Sequence, residues 1–128
     1  MLIQTEYELI NNKVNKFSKE VYILKKTQTL MIEILRLLQQ NDSMYPDQLF
    51  KILYIYTQKD IKYAIRKLRE KGLIYKIPNL IDMRRVYYRI STRDEFSRIA
   101  NRLNLEEISL YIPYIESTNL DGNTSITT

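Results

Sequence analysis

The hydrophobic positions of residues 58–71 recur with the period of an α-helix. Four apolar residues are spaced i, i+3, i+4 and i+7 and therefore share one face: Ile61, Ala64, Ile65 and Leu68. Thr57 precedes the first turn and Asp60 follows three residues later, which is the spacing of an N-terminal cap. Gly72 can adopt the left-handed conformation that ends a helix. The pattern predicts a helix between Thr57 and Gly72.

The period changes to that of a β-strand after Gly72. Residues 74–77 are rich in β-branched and aromatic side chains, Pro78-Asn79 breaks the run, and residues 85–90 resume it. The predicted hairpin carries Val86, Tyr88 and Ile90 on one side of its second strand. The other side carries Arg85, Tyr87 and Arg89. We expect Leu80 and Ile81, at the hairpin tip, to fold back on the hairpin, with contact to a partner as the alternative.

The N-terminal stretch has a narrower apolar pattern. From Ile3 to Leu24 the apolar residues are spaced alternately four and three apart, which is a heptad pattern typical of a helix that pairs with another helix. This seam can cover the domain's own core or meet a second copy of the chain, and its narrowness favours the second copy. The predicted dimerisation residues are Ile10, Val14, Phe17, Val21 and Leu24. Thr27 is a plausible N-cap for a separate helix that follows.

That second helix is apolar over a wide face, from Leu30 to Leu38, and is expected to end around residues 41–43. Pro46 suits the first position of a third helix, and Asp47 favours the positive end of its dipole. Three apolar residues of this helix are expected to face inward: Leu49, Ile52 and Leu53. A short turn then leads into the helix at Thr57, so residues 46–71 are predicted to form a helix-turn-helix.

A last helix is predicted to begin at the capping box formed by Thr92 and Glu95 and to end at Pro113. The segment from Glu116 to Thr128 is small and polar, so we expect it to be mobile. The predicted organisation is a dimerisation helix (1–26), a domain with the helix-turn-helix and the hairpin (27–91), a C-terminal helix (92–113) that is a second candidate for subunit contact, and a tail (114–128).

Positive charge is concentrated in one part of the chain. Residues 57–91 contain ten Lys and Arg against three acids, whereas the whole 128-residue chain has a net charge of only +5. Because the remaining residues have a slight net negative charge, the excess of positive charge is not distributed over the whole protein, as it would be if it served only solubility. The concentration predicts a surface that binds a polyanion.

The composition argues against catalysis. The chain has no His and no Cys, so the common general base, metal ligand and thiol nucleophile are missing, and two glycines do not make a phosphate-binding loop. We expect no active site, no metal and no cofactor. No signal peptide or membrane-spanning apolar run is evident, so a cytoplasmic protein without a membrane partner is expected. The abundance of Ile, Lys, Asn and Tyr is typical of an AT-rich genome, and an archaeal or viral source would fit.

The order of these elements resembles the winged helix-turn-helix regulators of bacteria and archaea, above all the MarR and PadR groups. The resemblance covers roughly residues 28–100 and depends on the segment 64–74, AIRKLREKGLI, which looks like a recognition helix that runs into a wing strand. It depends also on Asp82-Met83-Arg84-Arg85, which is similar to the D-x-R wing of MarR proteins. It implies a mainly α fold with a small β-hairpin (α+β), a long N-terminal helix and a C-terminal helix for dimerisation. Two departures are the bulky turn at residues 54–56 and a C-terminal helix shorter than in MarR proteins, so the N-terminal heptad would supply more of the dimer contact.

The resemblance implies a homodimeric transcriptional regulator that binds double-stranded DNA through a winged helix-turn-helix domain, residues 27–91. Its recognition helix would enter the major groove and its wing the minor groove. Arg84 would enter the minor groove, and Asp82 would hold the wing arginines. The candidate DNA-binding residues are Gln58, Lys59, Lys62, Tyr63, Arg66, Lys67, Lys76, Arg84, Arg85 and Arg89. Lys76, Arg85 and Arg89 would contact phosphates. The alternative is a winged-helix module that binds protein, and the sequence does not identify a small-molecule effector.

Overall fold

A computed structural model of the chain describes residues 2–115, with the side chains of residue 16 and of residues 18–115. The elements are α1 (Leu2–Asn41), β1 (Ser43–Met44), α2 (Pro46–Ile52), α3 (Gln58–Glu70), β2 (Ile74–Pro78), β3 (Val86–Ile90), α4 (Arg93–Ile99), a 3-10 turn (Ala100–Arg102) and α5 (residues 105–115). The predicted mobile segment from Glu116 to Thr128 lies outside the described residues.

The first helix is longer than the sequence predicts. Two helices were expected, with Thr27 as the cap of the second, but α1 runs without a break from Leu2 to Asn41. The prediction of a boundary is wrong because the segment 25–27 contains no Gly or Pro, and a polar stretch without either does not stop a helix. The heptad phase also continues through it, from Leu24 to the buried Met31, Leu35 and Leu38.

The helix-turn-helix is confirmed. Pro46 begins α2, and the Thr57 hydroxyl accepts a hydrogen bond from the Asp60 amide at the start of α3. The predicted stripe of α3 is buried throughout: Ile61, Ala64, Ile65 and Leu68. In α2, Leu49 and Leu53 are buried as predicted, but Ile52 is half exposed, because α2 is only two turns long and buries a narrow face.

The hairpin is confirmed as an antiparallel pair of β2 and β3, and a third strand joins it. The sheet order is β1-β3-β2, with Ser43 opposite Arg89 and Met44 opposite Tyr88. Strand β1 was not predicted, because two residues are too few to show a period. Asp42, with φ of 61°, turns the chain from α1 into it.

Gly72 lies where α3 turns into the wing. Its φ is 77°, and the Leu73 amide donates to the Leu68 carbonyl oxygen, 2.9 Å away, which closes the end of the helix. A β-carbon at residue 72 would lie 2.9 Å from Cδ1 of Ile99, so packing adds to the backbone requirement for glycine. The buried Ser91 hydroxyl donates to the Gly72 carbonyl oxygen and ties β3 to this turn.

The C-terminal region contains two helices rather than one. The capping box at Thr92 and Glu95 begins α4 as predicted, but α4 ends at Ile99 and the chain passes through the 3-10 turn. A second reciprocal cap, between Asn104 and Glu107, then begins α5, which continues through residue 115 and so beyond the predicted end at Pro113. The predicted single helix over residues 92–113 is wrong, because this second cap favours a new start.

The core forms where α1, α3, the sheet and α5 meet. Its fully buried members include Leu30, Ile34, Leu38, Leu68 and Ile115, which come from three different helices. Helix α3 packs on α1 through one face, so its opposite face is left to solvent. The mainly helical α+β fold is that of a winged helix-turn-helix protein.

Candidate nucleic-acid interface

The exposed side of α3 is basic. Lys59, Lys62 and Arg66 are all exposed and lie opposite the buried stripe of the helix. Together with the ring of Tyr63 they line one shallow recess on the surface. The exposed side of α3 between Lys59 and Arg66 therefore presents three cations and an aromatic ring to solvent.

A second recess adjoins the first and extends the positive charge to the wing. It is lined by Arg66, Arg69 and Lys76, with Glu70, Ile74 and Tyr75 beside them. Arg66 belongs to both recesses, so five cations form one continuous surface, which we call the basic face: Lys59, Lys62, Arg66, Arg69 and Lys76. Glu70 lies 3.9 Å from Arg66, and this pair is largely exposed. Among the described residues, no carboxylate lies within 4 Å of the other four cations.

The sheet register separates the basic residues of the wing. Lys76 is opposite the buried Tyr88, so it points to the side of the sheet that faces α3. Tyr75 is opposite Arg89 and points to the other side. Lys76 and Arg89 thus lie on different faces of the sheet, and only Lys76 adjoins α3.

Arg89 is paired with an acid of the protein itself. Its two terminal nitrogens donate to the two carboxylate oxygens of Glu95, at 2.8 and 2.9 Å, and its guanidinium lies 4.8 Å from the centre of the Tyr75 ring. The hydrogen bonds from Arg89 lower the pKa of Glu95 to about 2, and the same pair raises the pKa of Arg89. This bidentate pair ties the wing strand to α4 and neutralises the arginine's charge.

Three predicted site residues lie at the margins of the basic face. Gln58 lies beside α2, in a recess with Gln48 and Lys51. The ring of Tyr63 lies between two cations, 5.2 Å from the Arg66 guanidinium and 5.4 Å from Nζ of Lys67. Lys67 also lies 3.6 Å from Glu70 and faces the opposite flank of α3.

That opposite flank borders a cleft of about 740 Å³ between α1, α3 and α5. Apolar residues of α1 and α5 line much of it: Tyr22, Ile23, Leu24, Leu30, Met31 and Tyr111. Ion pairs lie at its polar edges, since Lys26 contacts Asp60 at 3.1 Å and Lys71 contacts Glu107. These partners lower the pKa of Asp60 and of Glu107, so both acids are held ionised, and α3 is linked electrostatically to α1 and to α5.

The wing tip, residues 79–85, is an ordered loop. Asp82 accepts hydrogen bonds from the amide and from Nε of Arg84, at 3.2 and 3.3 Å. The Arg85 guanidinium stacks 3.9 Å above the ring of Tyr45, and the Tyr45 hydroxyl accepts a hydrogen bond from Asn79. The tip is therefore fixed to the start of α2.

Leu80 and Ile81 do not fold back on the hairpin. They are 85% and 97% exposed, and the expectation that they pack on the wing is wrong. The turn is closed by hydrogen bonds from the amides of Ile81 and Asp82 to Oδ1 of Asn79, and in this conformation both side chains are directed into solvent.

Of the predicted dimerisation residues, Ile10, Val14 and Phe17 lie outside the described side chains. Val21 is half-buried, whereas Leu24 is exposed, as are its neighbours Tyr22 and Ile23. The described part of the seam thus presents apolar side chains to solvent.

Sequence reasoning did not select two residues of this surface. Arg69 is absent from the candidate DNA-binding residues, although its spacing of seven from Lys62 and three from Arg66 places all three on neighbouring turns of one side of α3. Tyr45 could not be selected, since its contact with Arg85 joins residues 40 apart in the sequence.

Two other features are not found in the described residues. Residues 2–115 contain no helix that is both long and apolar enough to cross a bilayer. No group of three or more acidic residues there is arranged to hold a metal ion.

The comparisons with known proteins concern overall shape. No protein-family model matches the chain, and no curated protein is similar to it in sequence. Among solved structures, it is similar to a mutant of ZitR from Lactococcus lactis in the apo form (16% identity, 93% of this chain and 98% of that one, TM-score 0.48). It is also similar to the adhesin competence repressor AdcR from Streptococcus pyogenes (16%, 92% of each chain, TM-score 0.47) and to a mutant MarR from E. coli complexed with operator DNA (16%, 85% and 96%, TM-score 0.44). At such identities and TM-scores these likenesses carry no argument about function, and the winged-helix class is defined by the order of elements and the sheet register described above.

Proposed function

We propose that this protein is a transcriptional regulator that binds double-stranded DNA through the basic face. The observation that carries the proposal is the continuity of five exposed cations along α3 and the adjoining strand. Four of them have no acid partner among the described residues, so their charge is available to phosphates. The major groove of DNA admits one α-helix, and α3 carries these charges on its exposed side.

Within this surface we assign two roles. Arg66, at the centre of the basic face, and Lys62, one turn before it, read base edges, because the middle and N-terminal turns of a recognition helix lie deepest in the groove. Gln58 reads a base edge at the first turn of α3, beside α2. Lys76 and Arg69, at the border of α3 and the wing, contact phosphates and set the register without reading sequence. Lys59, Tyr63 and Lys67, along the flank of α3, contact flanking phosphates. At the tip, Arg84 enters the minor groove and Arg85 contacts a phosphate. Arg89 is left out of the contact set because Glu95 already pairs with it.

Substitutions and salt dependence test this proposal. Removal of Arg66 (Arg66→Ala) is expected to lower affinity and relax sequence preference, whereas Lys76→Ala weakens binding to all duplexes equally. Each loss of a phosphate contact also lowers the slope of log affinity against log salt by about 1. Arg98→Ala, which removes an exposed cation of α4, is the matched control and is expected to change neither quantity. Identical behaviour of the Arg66 and Lys76 variants would refute the assignment of roles. If the wild type binds no duplex at low salt, the proposal of DNA binding is wrong and the protein-binding alternative is favoured.

We further propose that the protein acts as a homodimer joined by the α1 seam, which includes Ile10, Val14, Phe17, Val21 and Leu24. The exposure of Leu24 supports it, since an apolar seam residue is unfavourable in water unless a partner covers it, and the adjacent Tyr22 and Ile23 are exposed as well. Two recognition helices about 34 Å apart would then meet successive turns of one face of the duplex.

Sedimentation of the wild type and of Leu24→Asp tests the dimer. Because Leu24 is exposed within one chain, the substitution is expected to produce a folded monomer with reduced DNA affinity. Lys25→Asp, at a neighbouring exposed position outside the heptad, is the control and is expected to remain dimeric. A monomeric wild type would contradict the proposal directly.

A further inference from the structure

The wing tip combines apolar exposure with positive charge. Leu80 and Ile81 are the most exposed large apolar side chains among the described residues, and Met83, two positions further on, is 68% exposed. Exposed apolar residues are ordinary when they occur singly. Three within four positions on one protruding loop indicate a contact surface.

The loop holds these side chains outward in a defined conformation. Oδ1 of Asn79 accepts hydrogen bonds from the amides of Ile81 and Asp82, at 2.9 and 3.2 Å. The Asn79 amide donates to the Arg85 carbonyl oxygen, and the Arg85 amide donates to the Asp82 carbonyl oxygen, both at 3.0 Å. Because the backbone is satisfied within the loop and anchored to Tyr45, presenting the apolar residues to a partner costs little further ordering.

The charged residues around the wing tip indicate which kind of partner it binds. Arg84, whose side chain is 92% exposed, and Arg85 flank the apolar residues, and Lys76 lies at the base of the wing. The loop has two arginines against one acid, Asp82, which contacts the Arg84 guanidinium only through Nε, at 3.3 Å, so the net charge of the loop is positive. Exposed apolar side chains flanked by cations are complementary to a polyanion that also has an apolar interior. The DNA duplex has this character, because its phosphates lie outside and its stacked bases inside.

We propose that Leu80 and Ile81 act as a wedge that enters the minor groove, partly unstacks one base step and kinks the duplex. The inference deepens the proposed function and rests on it. Apolar side chains inserted in this way bend DNA by roughly 20–90°, with flanking cations on the phosphates. Because pyrimidine–purine steps unstack most readily, the wedge gives a preference for TA or CA at its point of entry without hydrogen bonds to bases.

Two double variants test the wedge. Leu80→Ser with Ile81→Ser removes the apolar character, whereas Leu80→Met with Ile81→Leu retains it. Both residues are almost fully exposed, so neither pair of changes is expected to disturb folding. The probe is an AT-rich duplex of about 20 base pairs with TA steps, roughly 68 Å long and therefore within the range of energy transfer between labels at its two ends. Affinity and end-to-end distance are measured together at low salt.

The wild type and the Met/Leu variant are expected to shorten the end-to-end distance, and the Ser/Ser variant is expected to bind with about tenfold lower affinity and leave the duplex straight. Equal bending by the Ser/Ser variant, or binding by the wild type without bending, overturns the wedge and leaves the proposed function intact. Absence of duplex binding by the wild type overturns both. Flotation with vesicles of anionic phospholipid tests whether the tip binds a lipid surface instead. If the vesicles capture the wild type but not the Ser/Ser variant, and the wild type leaves the duplex straight, the wedge is overturned and the tip is assigned to lipid.

Discussion

The ion pair between Arg89 and Glu95 is expected to give the folded protein a stability that depends on pH. Glu95→Gln removes the carboxylate charge while it keeps the side-chain oxygen that caps α4 at the Thr92 amide, since Gln serves in a capping box as Glu does. The variant therefore isolates the ion pair from the cap.

The magnitude follows from the pKa of Glu95. The hydrogen bonds from Arg89 lower this pKa from its ordinary value of 4.5 to about 2. A shift of that size corresponds to roughly 3 kcal/mol, and since the two side chains keep 33% and 21% of their surface in solvent, screening reduces the expected contribution to about 2 kcal/mol. Because the pKa is lower in the folded state, the stabilisation is fully present above pH 4.5 and is lost as the pH falls from 4.5 toward 2.

Urea unfolding of wild type and Glu95→Gln at pH 7 and pH 3, at one protein concentration, measures this difference. The variant is expected to be about 2 kcal/mol less stable at pH 7, and the gap is expected to shrink below half of that at pH 3. Asp94→Asn, a neutralisation one residue away without an ion pair in the described structure, is the control and should cost well under 1 kcal/mol at both values. An equal loss for Glu95→Gln at pH 7 and pH 3 would refute the reasoning and assign the effect to packing or to the cap.

Three further substitutions have definite expected effects on the free energy of unfolding, each measured by urea unfolding. Gly72→Ala is expected to cost about 1–2 kcal/mol, because φ is 77° and the new methyl group meets Ile99; a neutral result would mean that the turn relaxes freely. Thr57→Ala removes the cap of α3 and should cost about 1 kcal/mol, whereas Thr57→Ser should retain most of it. Leu38→Ala leaves a cavity at a fully buried position and should cost about 2–5 kcal/mol, against a near-neutral Leu105→Ala at an exposed one.

Local patterns predicted the central part of the fold. The cap at Thr57, the buried stripe from Ile61 to Leu68 and the left-handed Gly72 each depend on residues at most four positions apart, and each is confirmed. The alternation in β3 also depends on neighbours, and of the three residues predicted to share one side, Tyr88 and Ile90 are buried and Val86 is half-buried. Local structure could therefore be predicted from the sequence wherever the spacing of nearby residues alone determines the geometry.

The remaining features depend on contacts that spacing does not encode. Strand β1 exists because Ser43 and Met44 pair with Arg89 and Tyr88 more than 40 residues away. The assignment of Arg89 as a phosphate contact could not foresee Glu95, because that pair forms only after α4 turns back onto the strand. The uninterrupted α1 was, by contrast, readable: the heptad positions of Leu24 and Met31 share one phase across the supposed boundary.

The unbroken course of α1 fixes the angular relation between its N-terminal seam and the body of the protein. The helix is 40 residues long, or about 60 Å, and it contains no hinge where torsion could relax. A single residue inserted at positions 25–27 would rotate everything before it by about 100° and advance it by about 1.5 Å, whereas an insertion of seven residues would nearly restore the phase. Natural length variation in this segment is therefore expected to occur in whole heptads, since other lengths would turn the seam away from the side of the molecule on which Leu35 and Leu38 pack.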